Sequence, residues 1–481
     1  MNILRPIFLI VGILLATLGL AMFIPALVDL VNDNKDWEVF AFTGTLTLLI
    51  GLGLYSGARD TSNQLSTRQA FVMTTVAWLA LTIFGALPYY FSELSPSFTD
   101  AFFESMSGLT TTGSTVFTDL DRAPPGILLW RGIQQWLGGL GIIVMAIAVF
   151  PMLQIGGMQL FKVEAFDTAE KIMPRATQIS GSITLVFILM TAICAVAYLV
   201  TGMELMDAVV HAMTTVATGG FSTHDSSIAY YDSTAIELVA ITFMILGSIP
   251  FILYVQAWQG QPGKLWENSQ VRVFLMLLAG LVSIAWGLHL GAENEPLKRL
   301  VQSAFNVTSI MTGTGYASAD YGAWAPGSNA FFFAIMFIGG CAGSTSCGIK
   351  VFRFQVLFEV IKQQMYRIFY PNGIFVMRFN AARIENSVAG AVMNFFAIYF
   401  LLFGMFAILL NLTGLDFLTS MSAAGTAISN VGPGLGDTIG PTGNFKELND
   451  TAKWILSAAM LVGRLELFTV LVLFMPRFWR I

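Results

Sequence analysis

About ten long apolar stretches interrupt this chain, and they constrain its fold more than any other feature. A transmembrane helix needs about 20 consecutive apolar residues. The chain is 56% hydrophobic and 11% charged, whereas an ordinary soluble protein is about 25% charged. We therefore predict an all-α membrane protein with about ten transmembrane helices. They cover residues 7–28, 40–55, 71–91, 127–153, 179–201, 235–258, 271–290, 331–360, 388–412 and 454–475.

The basic residues are distributed unevenly between the predicted loops. The first apolar run is too long for a signal peptide, so we expect a retained span. Threading the chain with its N-terminus in the cytoplasm places 16 of the 24 basic residues inside. These are Arg5, Arg59, Arg68, Lys162, Lys171, Arg175, Lys264, Arg272, Lys350, Arg353, Lys362, Arg367, Arg378, Arg383, Arg477 and Arg480. The positive-inside rule then predicts that both termini are cytoplasmic, and we expect a multi-pass protein of the bacterial inner membrane.

The remaining charges follow from the same threading. Arg464 and Glu466 fall within the last span, and 21 of the 29 acids lie outside. The basic residues assigned to the outside are Lys35, Arg122, Arg131, Lys298, Arg299, Lys446 and Lys453. The acidic outer face either follows from topology alone or forms a vestibule that concentrates cations.

Four segments between the spans repeat one pattern. Residues 100–114, 207–221, 302–316 and 421–433 align without gaps. Each has an apolar, small-residue stretch of half-helix length and then a polar tetrad that ends in glycine. The unit of span, half-helix, loop and span thus recurs four times in a pseudo-fourfold arrangement. We predict a leading pair of helices at 1–60 and pore repeats at 61–155, 156–260, 261–383 and 384–481.

Such loops are suited to binding a cation. Non-helical backbone at membrane depth is tolerated where it is buried or lines water, and rings of carbonyls replace the hydration shell of an alkali ion. A half-helix places its negative C-terminal end toward the same point. Ordinary turns between spans are the alternative for any single copy. The predicted K⁺ ligands are the carbonyls of Thr110, Thr111, Thr112, Gly113, Ala217, Thr218, Gly219, Gly220, Thr312, Gly313, Thr314, Gly315, Ser429, Asn430, Val431 and Gly432.

At these residues the chain resembles the TrkH-type potassium uptake proteins of the Trk/Ktr/HKT superfamily. The resemblance rests on Thr-Thr-Thr-Gly at 110–113, Thr-Gly-Gly-Phe-Ser at 218–222 and Thr-Gly-Thr-Gly-Tyr at 312–316, and it covers essentially the whole chain. It implies K⁺ uptake, a homodimer with one pore per subunit, and a cytosolic nucleotide-binding subunit of the TrkA type. Because all four loops end in glycine, the resemblance also implies a preference for K⁺ or Rb⁺ over Na⁺. Asn430-Val431 and Pro433 depart from the pattern, so the fourth loop is expected to supply weaker or fewer ion sites.

A Gly-rich segment, residues 339–350, breaks the eighth predicted span. Each glycine in a helix interior costs about 1 kcal/mol relative to alanine. The segment is either a kinked helix packed through small residues or, as the resemblance implies, a movable plug below the filter. Arg464 either forms a salt bridge or lies near that plug, as the resemblance implies. The predicted gate residues are Gly339, Gly340, Gly343, Ser344, Thr345, Ser346, Gly348, Lys350 and Arg464.

Other function classes remain as alternatives. A Na⁺- or H⁺-coupled symporter is one, because transporters with inverted repeats also use broken helices, and a less selective Na⁺/K⁺ pathway is another. An enzyme is disfavoured because the sequence has no His/Glu metal cluster and no nucleophile with a nearby base. The three cysteines give neither a disulfide framework nor zinc spacing. We expect no cofactor and no nucleic-acid partner; K⁺ and the lipid bilayer are the expected partners.

Overall fold

The computed structural model describes residues 4–59, 66–148, 176–289, 295–380 and 382–480. Several sequence predictions lie outside these ranges. They concern the cytoplasmic residues Lys162, Lys171 and Arg175, the last residues of the fourth and seventh spans, and the repeat boundaries at 60/61 and 155/156.

Helices make up nearly all of the described chain. They are α1 (Arg5–Val31), α2 (Asp36–Ala58), α3 (Thr67–Phe91), α4 (Phe98–Leu109), α5 (Pro125–Ala148), α6 (Ala176–Val200), α7 (Leu205–Val216), α8 (Thr234–Gly247), α9 (Phe251–Trp258), α10 (Lys264–Glu267), α11 (Ser269–Leu288), α12 (Pro296–Thr312), α13 (Ser328–Ile335), α14 (Val351–Phe369), α15 (Asn386–Leu412), α16 (Phe417–Ser429), α17 (Asp450–Arg464), α18 (Phe468–Leu471) and α19 (Pro476–Trp479). Two short strands, β1 (Arg378–Phe379) and β2 (Ala382–Arg383), pair antiparallel.

Seven of the described helices are long and apolar enough to cross a membrane, namely α1, α2, α3, α5, α6, α11 and α15. Two further spans are bent: α8 meets α9 at 89°, and α17 meets the following helical segment at 108°. The eighth predicted span is divided into α13 and α14 by the Gly-rich segment. These findings confirm the predicted all-α membrane fold, whereas the bends in the sixth and tenth spans are new.

Four helices enter the protein without crossing it. They are α4, α7, α12 and α16, with 12, 12, 17 and 13 residues. At 1.5 Å per residue the shorter ones reach about 18 Å, well below the roughly 30 Å of a bilayer core. Side chains at their start satisfy free backbone N–H groups, as Ser97 does for Asp100 and Asp416 does for Thr419, both at 3.1 Å. These helices are the re-entrant segments of the predicted fold.

The re-entrant helices form a closed ring. The span that ends one repeat packs against the re-entrant helix of the next repeat, so α5 contacts α7, α8 contacts α12, and α17 contacts α4. Between the third and fourth repeats, a Cβ built on Gly425 of α16 would lie 2.8 Å from the sulfur of Met336, next to α13. The loops that follow the four helices are thereby brought to one place.

Three basic residues that threading counted with the inner or outer face are buried instead. Arg131 is 1% exposed, Lys453 is 4% exposed and Arg353 is 0% exposed. Arg131 pairs with Glu104 at 2.8 Å and Lys453 with Asp100 at 2.6 Å, both on α4. Arg353 pairs with the Glu466 carboxylate. Pairing with a carboxylate makes burial of a charge tolerable, and a count of charges along the sequence cannot detect it.

Candidate functional site

Each re-entrant helix runs into a tetrapeptide with the same backbone. We call residues 110–113, 217–220, 312–315 and 429–432 Gly loops 1 to 4. The second residue of each loop is left-handed, with φ of 51° at Thr111, 49° at Thr218, 79° at Gly313 and 53° at Asn430. The fourth residue also has positive φ, at 86°, 80°, 83° and 108° for Gly113, Gly220, Gly315 and Gly432. Left-handed non-glycine residues are strained by about 1–3 kcal/mol and concentrate at functional sites.

One hydrogen bond recurs in all four loops. The N–H of the third loop residue donates to the carbonyl of the residue five positions earlier. This bond ends the helix and encloses the left-handed second residue of the loop. The bonds are Thr112 to Ser107 at 2.9 Å, Gly219 to Thr214 at 2.8 Å, Thr314 to Ser309 at 2.9 Å and Val431 to Thr426 at 3.1 Å. The divergent sequence of Gly loop 4 therefore does not alter its backbone pairing.

The Gly loops contact one another in a ring. A Cβ built on Gly113 would lie 2.3 Å from the carbonyl oxygen of Gly219 in loop 2. The corresponding distances are 1.8 Å from Gly220 to Thr314, 1.9 Å from Gly315 to Val431 and 3.0 Å from Gly432 to Thr112. Each glycine thus faces the third residue of the next loop, and loop 4 returns to loop 1. All sixteen predicted ligand residues belong to this ring.

A cavity of about 320 Å³ opens on one side of the ring, and Gly113, Gly220, Gly315 and Gly432 all line it. We call it the vestibule. Two titratable residues of the loop after Gly loop 2, His224 and Asp225, also line it. Burial raises the pKa of Asp225 above its usual range. Burial lowers the pKa of His224, but hydrogen bonds to Asp207 and Asp121 outweigh it, and the net pKa lies above its ordinary value.

The Gly-rich segment lies on the other side of the ring. The N–H of Cys341 donates to Ser248 at 3.0 Å, and that of Thr345 donates to Gly247 at 3.1 Å, so the segment pairs with the bend between α8 and α9. The Cys347 sulfur is 3.4 Å from the Thr111 hydroxyl in Gly loop 1. A Cβ on Gly313 in loop 3 would lie 3.0 Å from the Cys347 Cβ. The segment therefore touches the second residue of two Gly loops.

Arg464, the last residue of α17, joins this segment to α5. Its Nη1 donates to the Cys347 sulfur at 2.7 Å and to the Thr345 carbonyl at 3.4 Å. Its Nη2 donates to the Gly138 carbonyl at 3.3 Å. The adjoining cavity is only about 30 Å³, large enough for one or two waters. The guanidinium and the segment therefore lie together on this side of the ring.

The other predicted gate residues stabilise the segment itself. The N–H of Gly339 donates to Ile349 at 2.9 Å, and the N–H of Gly340 donates to the Ser346 hydroxyl at 2.7 Å. The ammonium of Lys350 donates back to the Ser346 carbonyl. The remaining members, Gly343, Ser344 and Gly348, line the small cavity. The structure thus brings all nine predicted gate residues to one side of the ring.

The comparisons with known proteins match this architecture. The family model TrkH, described as a cation transport protein, matches residues 37–481. The chain belongs to the TrkH family. This TrkH-family chain is 42% identical over 477 residues to the Trk system potassium uptake protein TrkI of Halomonas elongata, covering 99% of this chain and 97% of that one. It is 37% identical to the TrkH of Escherichia coli K12, with 99% of both chains covered.

A solved structure shares the fold of the TrkH-family chain. The crystal structure of the potassium transporter TrkH from Vibrio parahaemolyticus matches with a TM-score of 0.91 and 35% sequence identity, and 99% of each chain is covered. The predicted family resemblance is therefore confirmed. The family is one of transport proteins, as expected for a chain that the sequence predicts not to be an enzyme.

Sequence reasoning missed the polar side chains that brace the ring in this TrkH-family chain. Gln135 of α5 donates to the Gly219 carbonyl at 2.6 Å and accepts from the Phe221 N–H at 3.0 Å. The Ser114 hydroxyl donates to the Gly432 carbonyl at 2.7 Å. The Gly219 and Gly432 carbonyls, both predicted ligands, thus also accept protein hydrogen bonds. A glutamine pair, Gln134-Gln135, within an apolar span is the signal that could have pointed to Gln135.

Arg131 braces the vestibule side of the ring. Besides its pair with Glu104, it donates to the Ser222 carbonyl at 2.5 Å and to the Thr115 hydroxyl at 3.2 Å. Its guanidinium lies 4.2 Å from the centre of the Phe221 ring. One side chain therefore connects α4, α5 and the chain that leaves Gly loops 1 and 2. The planar guanidinium of arginine, with its several N–H donors, suits this role better than the single ammonium of a lysine.

Proposed function

We propose that this TrkH-family chain takes up K⁺ across the bacterial inner membrane through a gated, channel-like pore. The ring of Gly loops carries this proposal, because four symmetric stretches of backbone converge at one cavity. The alternation of φ along each loop turns successive carbonyls so that they can face one axis, where they replace water around a dehydrated ion. The names of the relatives, which are potassium uptake proteins, support K⁺ as the transported ion.

The two sides of the ring are assigned by the charge distribution. The positive-inside rule places both termini in the cytoplasm, so the vestibule is the outer entrance. The C-terminal ends of the four re-entrant helices point at the ring and favour a cation there. Tight contacts at Gly113, Gly220 and Gly315 leave no room for a side chain, so neighbouring loops lie in direct contact. We propose that this arrangement selects K⁺ over Na⁺.

The Gly-rich segment is the proposed gate. It lies next to Thr111 and Gly313 and leaves a cavity of only about 30 Å³ beside Arg464. Arg464 and Thr345 hold the segment against α5, α8 and α17, and we call these two side chains the clamp. A hydrated ion cannot pass while the clamp is in place. We propose that release of this clamp opens the pore, and that a cytosolic nucleotide-binding subunit of the TrkA type controls it in a homodimeric assembly. No cofactor or catalytic step is part of this proposal.

Flux in liposomes tests the function. The purified chain is reconstituted without a partner, a K⁺ gradient is imposed, and entry of radiolabelled Rb⁺ is followed with unlabelled K⁺ or Na⁺ as competitor. We expect K⁺ to compete at much lower concentration than Na⁺ and uptake to proceed without a proton or sodium gradient. Equal competition by Na⁺ would identify the less selective pathway. Uptake that collapses with the proton or sodium gradient would identify the coupled symporter and reject a channel.

A further inference from the structure

An apolar crevice of about 410 Å³ lies between α1, α3 and α5. All three helices belong to the set that can cross a membrane. The walls are aliphatic, thioether and aromatic, and they include Leu14, Met73, Ala77, Trp78, Leu81 and Val144. This volume lies in the range of small-molecule sites. None of the residues that line the crevice belongs to the four Gly loops.

The few polar atoms of the walls are satisfied locally. The Thr17 hydroxyl donates to the Ile13 carbonyl at 2.9 Å, and the Thr74 hydroxyl donates to the Ala70 carbonyl, also at 2.9 Å. The indole N–H of Trp78 faces the Met145 sulfur at 3.4 Å. The walls therefore offer an occupant no unmet hydrogen bond and no charge, and a cavity of this kind excludes water. Its occupant must be apolar.

The crevice opens on the surface of α1. Leu14, on its wall, is 36% exposed, and the neighbouring residues Ile13 and Leu20 are 46% and 57% exposed. On a helix of this hydropathy such a surface is surrounded by lipid chains in a membrane. The opening of the crevice therefore faces the acyl chains of the bilayer, which are present at high local concentration.

The inner end of the crevice reaches the ion pathway. Leu109, the last residue of α4, and Gly138 of α5 form this end. A Cβ on Gly138 would lie 1.9 Å from the Leu109 carbonyl oxygen, so the two backbones are in direct contact. Leu109 precedes Gly loop 1, and the Gly138 carbonyl accepts from Arg464. An occupant would therefore pack against Leu109 and Gly138, at the point where Gly loop 1 begins and where Arg464 binds α5.

We propose that an acyl chain of a bilayer phospholipid occupies this crevice and packs against the junction of Leu109 and Gly138. Packed contacts on this side hold α5 against α4, whereas an empty crevice leaves the junction without partner atoms on one side. Membrane lipid thereby becomes a structural ligand beside the ring. Occupancy is measured directly and does not depend on which ion the chain carries.

Photolabelling tests the proposal. The protein is reconstituted with a phospholipid that carries a diazirine at the end of one acyl chain, irradiated, and mapped by peptide mass spectrometry. We expect labels concentrated on the crevice walls, at Leu14, Met73 and Trp78. Gly141 also lines the crevice, and a Cβ there has open space within 4 Å. Gly141→Leu should fill the crevice and lower labelling of its walls at least threefold.

A matched control separates filling from a general effect of leucine. Gly53 is an exposed glycine of α2 that also has open space around a Cβ, and Gly53→Leu should leave labelling of the crevice unchanged. Ala77→Leu, on the opposite wall, provides a second filled variant if Gly141→Leu does not assemble. Unchanged wall labelling in a filled variant, or labelling spread equally over all lipid-facing helices, would each overturn the proposal.

Discussion

The Gly loops and the Gly-rich segment contain the same residue but are held in different ways. The loops are built four times over, and each is fixed by the same backbone hydrogen bond and by contact with the next loop. The segment occurs in one repeat, where backbone bonds pair it with the bend between α8 and α9. Side chains, above all Thr345 and Arg464, add further hydrogen bonds to it. Backbone symmetry suits a part that must not move. Single side-chain bonds that occur in only one repeat suit the proposed gate, because their loss leaves the other repeats unchanged.

The comparison predicts different effects of substitution in the two regions. A change in the ring should abolish or degrade conduction, because the four loops share one geometry. A change in the clamp should increase conduction, because it weakens only the closed arrangement. If ring substitutions lower conduction and clamp substitutions raise it, the distinction is established. If both change conduction in the same direction, the distinction fails.

The largest effect is expected for Gly220→Ala. The new Cβ would lie 1.8 Å from the Thr314 carbonyl oxygen at a φ of 80°, a backbone that strains alanine by about 1–3 kcal/mol even without the clash. We expect Rb⁺ uptake into liposomes to fall at least tenfold, since about 1.4 kcal/mol is a factor of ten. Gly280→Ala on α11 is the control, because a Cβ there meets nothing within 4 Å.

Gly432→Ala sharpens this test. Its Cβ would lie 3.0 Å from the Thr112 carbonyl oxygen, which is the loosest contact of the ring. The loss of uptake should therefore be smaller than for Gly220→Ala. If both variants conduct like the unmodified protein, the ring does not determine conduction.

Removal of the arginine clamp should have the next largest effect, with the opposite sign. Arg464→Ala deletes the hydrogen bonds to Gly138, Thr345 and Cys347. A hydrogen bond from a charged group contributes about 1.5–3 kcal/mol, so the loss of one net bond shifts the closed state by about tenfold. We expect partner-free Rb⁺ flux to rise by about that factor. Arg464→Lys keeps the charge but not the forked donors, and its rise should be smaller.

A smaller increase is expected for Thr345→Val. The Thr345 hydroxyl donates to the carbonyls of Val216 at 3.0 Å and Gly247 at 2.9 Å, and so ties the segment to the start of Gly loop 2 and to α8. A neutral hydrogen bond is worth about 1 kcal/mol, which corresponds to about a fivefold rise in flux. Thr345→Ser keeps the hydroxyl and should behave like the unmodified protein. A fall in flux for the valine variant would contradict a role in closing the pore.

The sequence predicts the repeated parts of the molecule well. Four copies of one pattern locate the Gly loops, since recurrence separates a meaningful glycine from an incidental one. The break at 339–350 is visible because four glycines cannot continue a helix. These features are local, so a linear pattern carries them.

The sequence does not predict the partners that arise only on folding. The bend at residues 465–467 has neither glycine nor proline, yet Glu466 and Leu467 are left-handed at φ of 61° and 50°. The contact of Cys347 with Thr111 joins residues 236 positions apart. Arg131 counts as a charge of the outer face until its pair with Glu104 is known. Long-range pairing of single side chains leaves no periodic signal along the chain.

The smallest effect concerns the ring side of the comparison, where His224, one of the two titratable residues named above on the vestibule, can change its charge. His224 donates to Asp121 at 2.5 Å and to Asp207 at 3.1 Å, and it stacks on Tyr230 with ring centres 3.5 Å apart. Because the pKa of His224 is raised, its imidazole stays positively charged to a higher pH than that of an ordinary histidine. As the outer pH rises through that pKa, the proton leaves and the vestibule becomes more negative by one charge.

A more negative vestibule attracts cations more strongly, so Rb⁺ entry should increase as the outer pH rises. Two unit charges interact by about 1 kcal/mol at 4 Å in water and by less at larger distances, so we expect about a twofold change. His224→Gln, which cannot titrate, should abolish the step while leaving Rb⁺ selectivity unaltered. If flux changes with pH equally in both proteins, the titrating group lies elsewhere. A third outcome is that flux falls as the pH rises, but only in the protein that contains His224. In that case, losing the link that His224 makes between Asp121 and Asp207 outweighs the added negative charge, and the vestibule is not rigid.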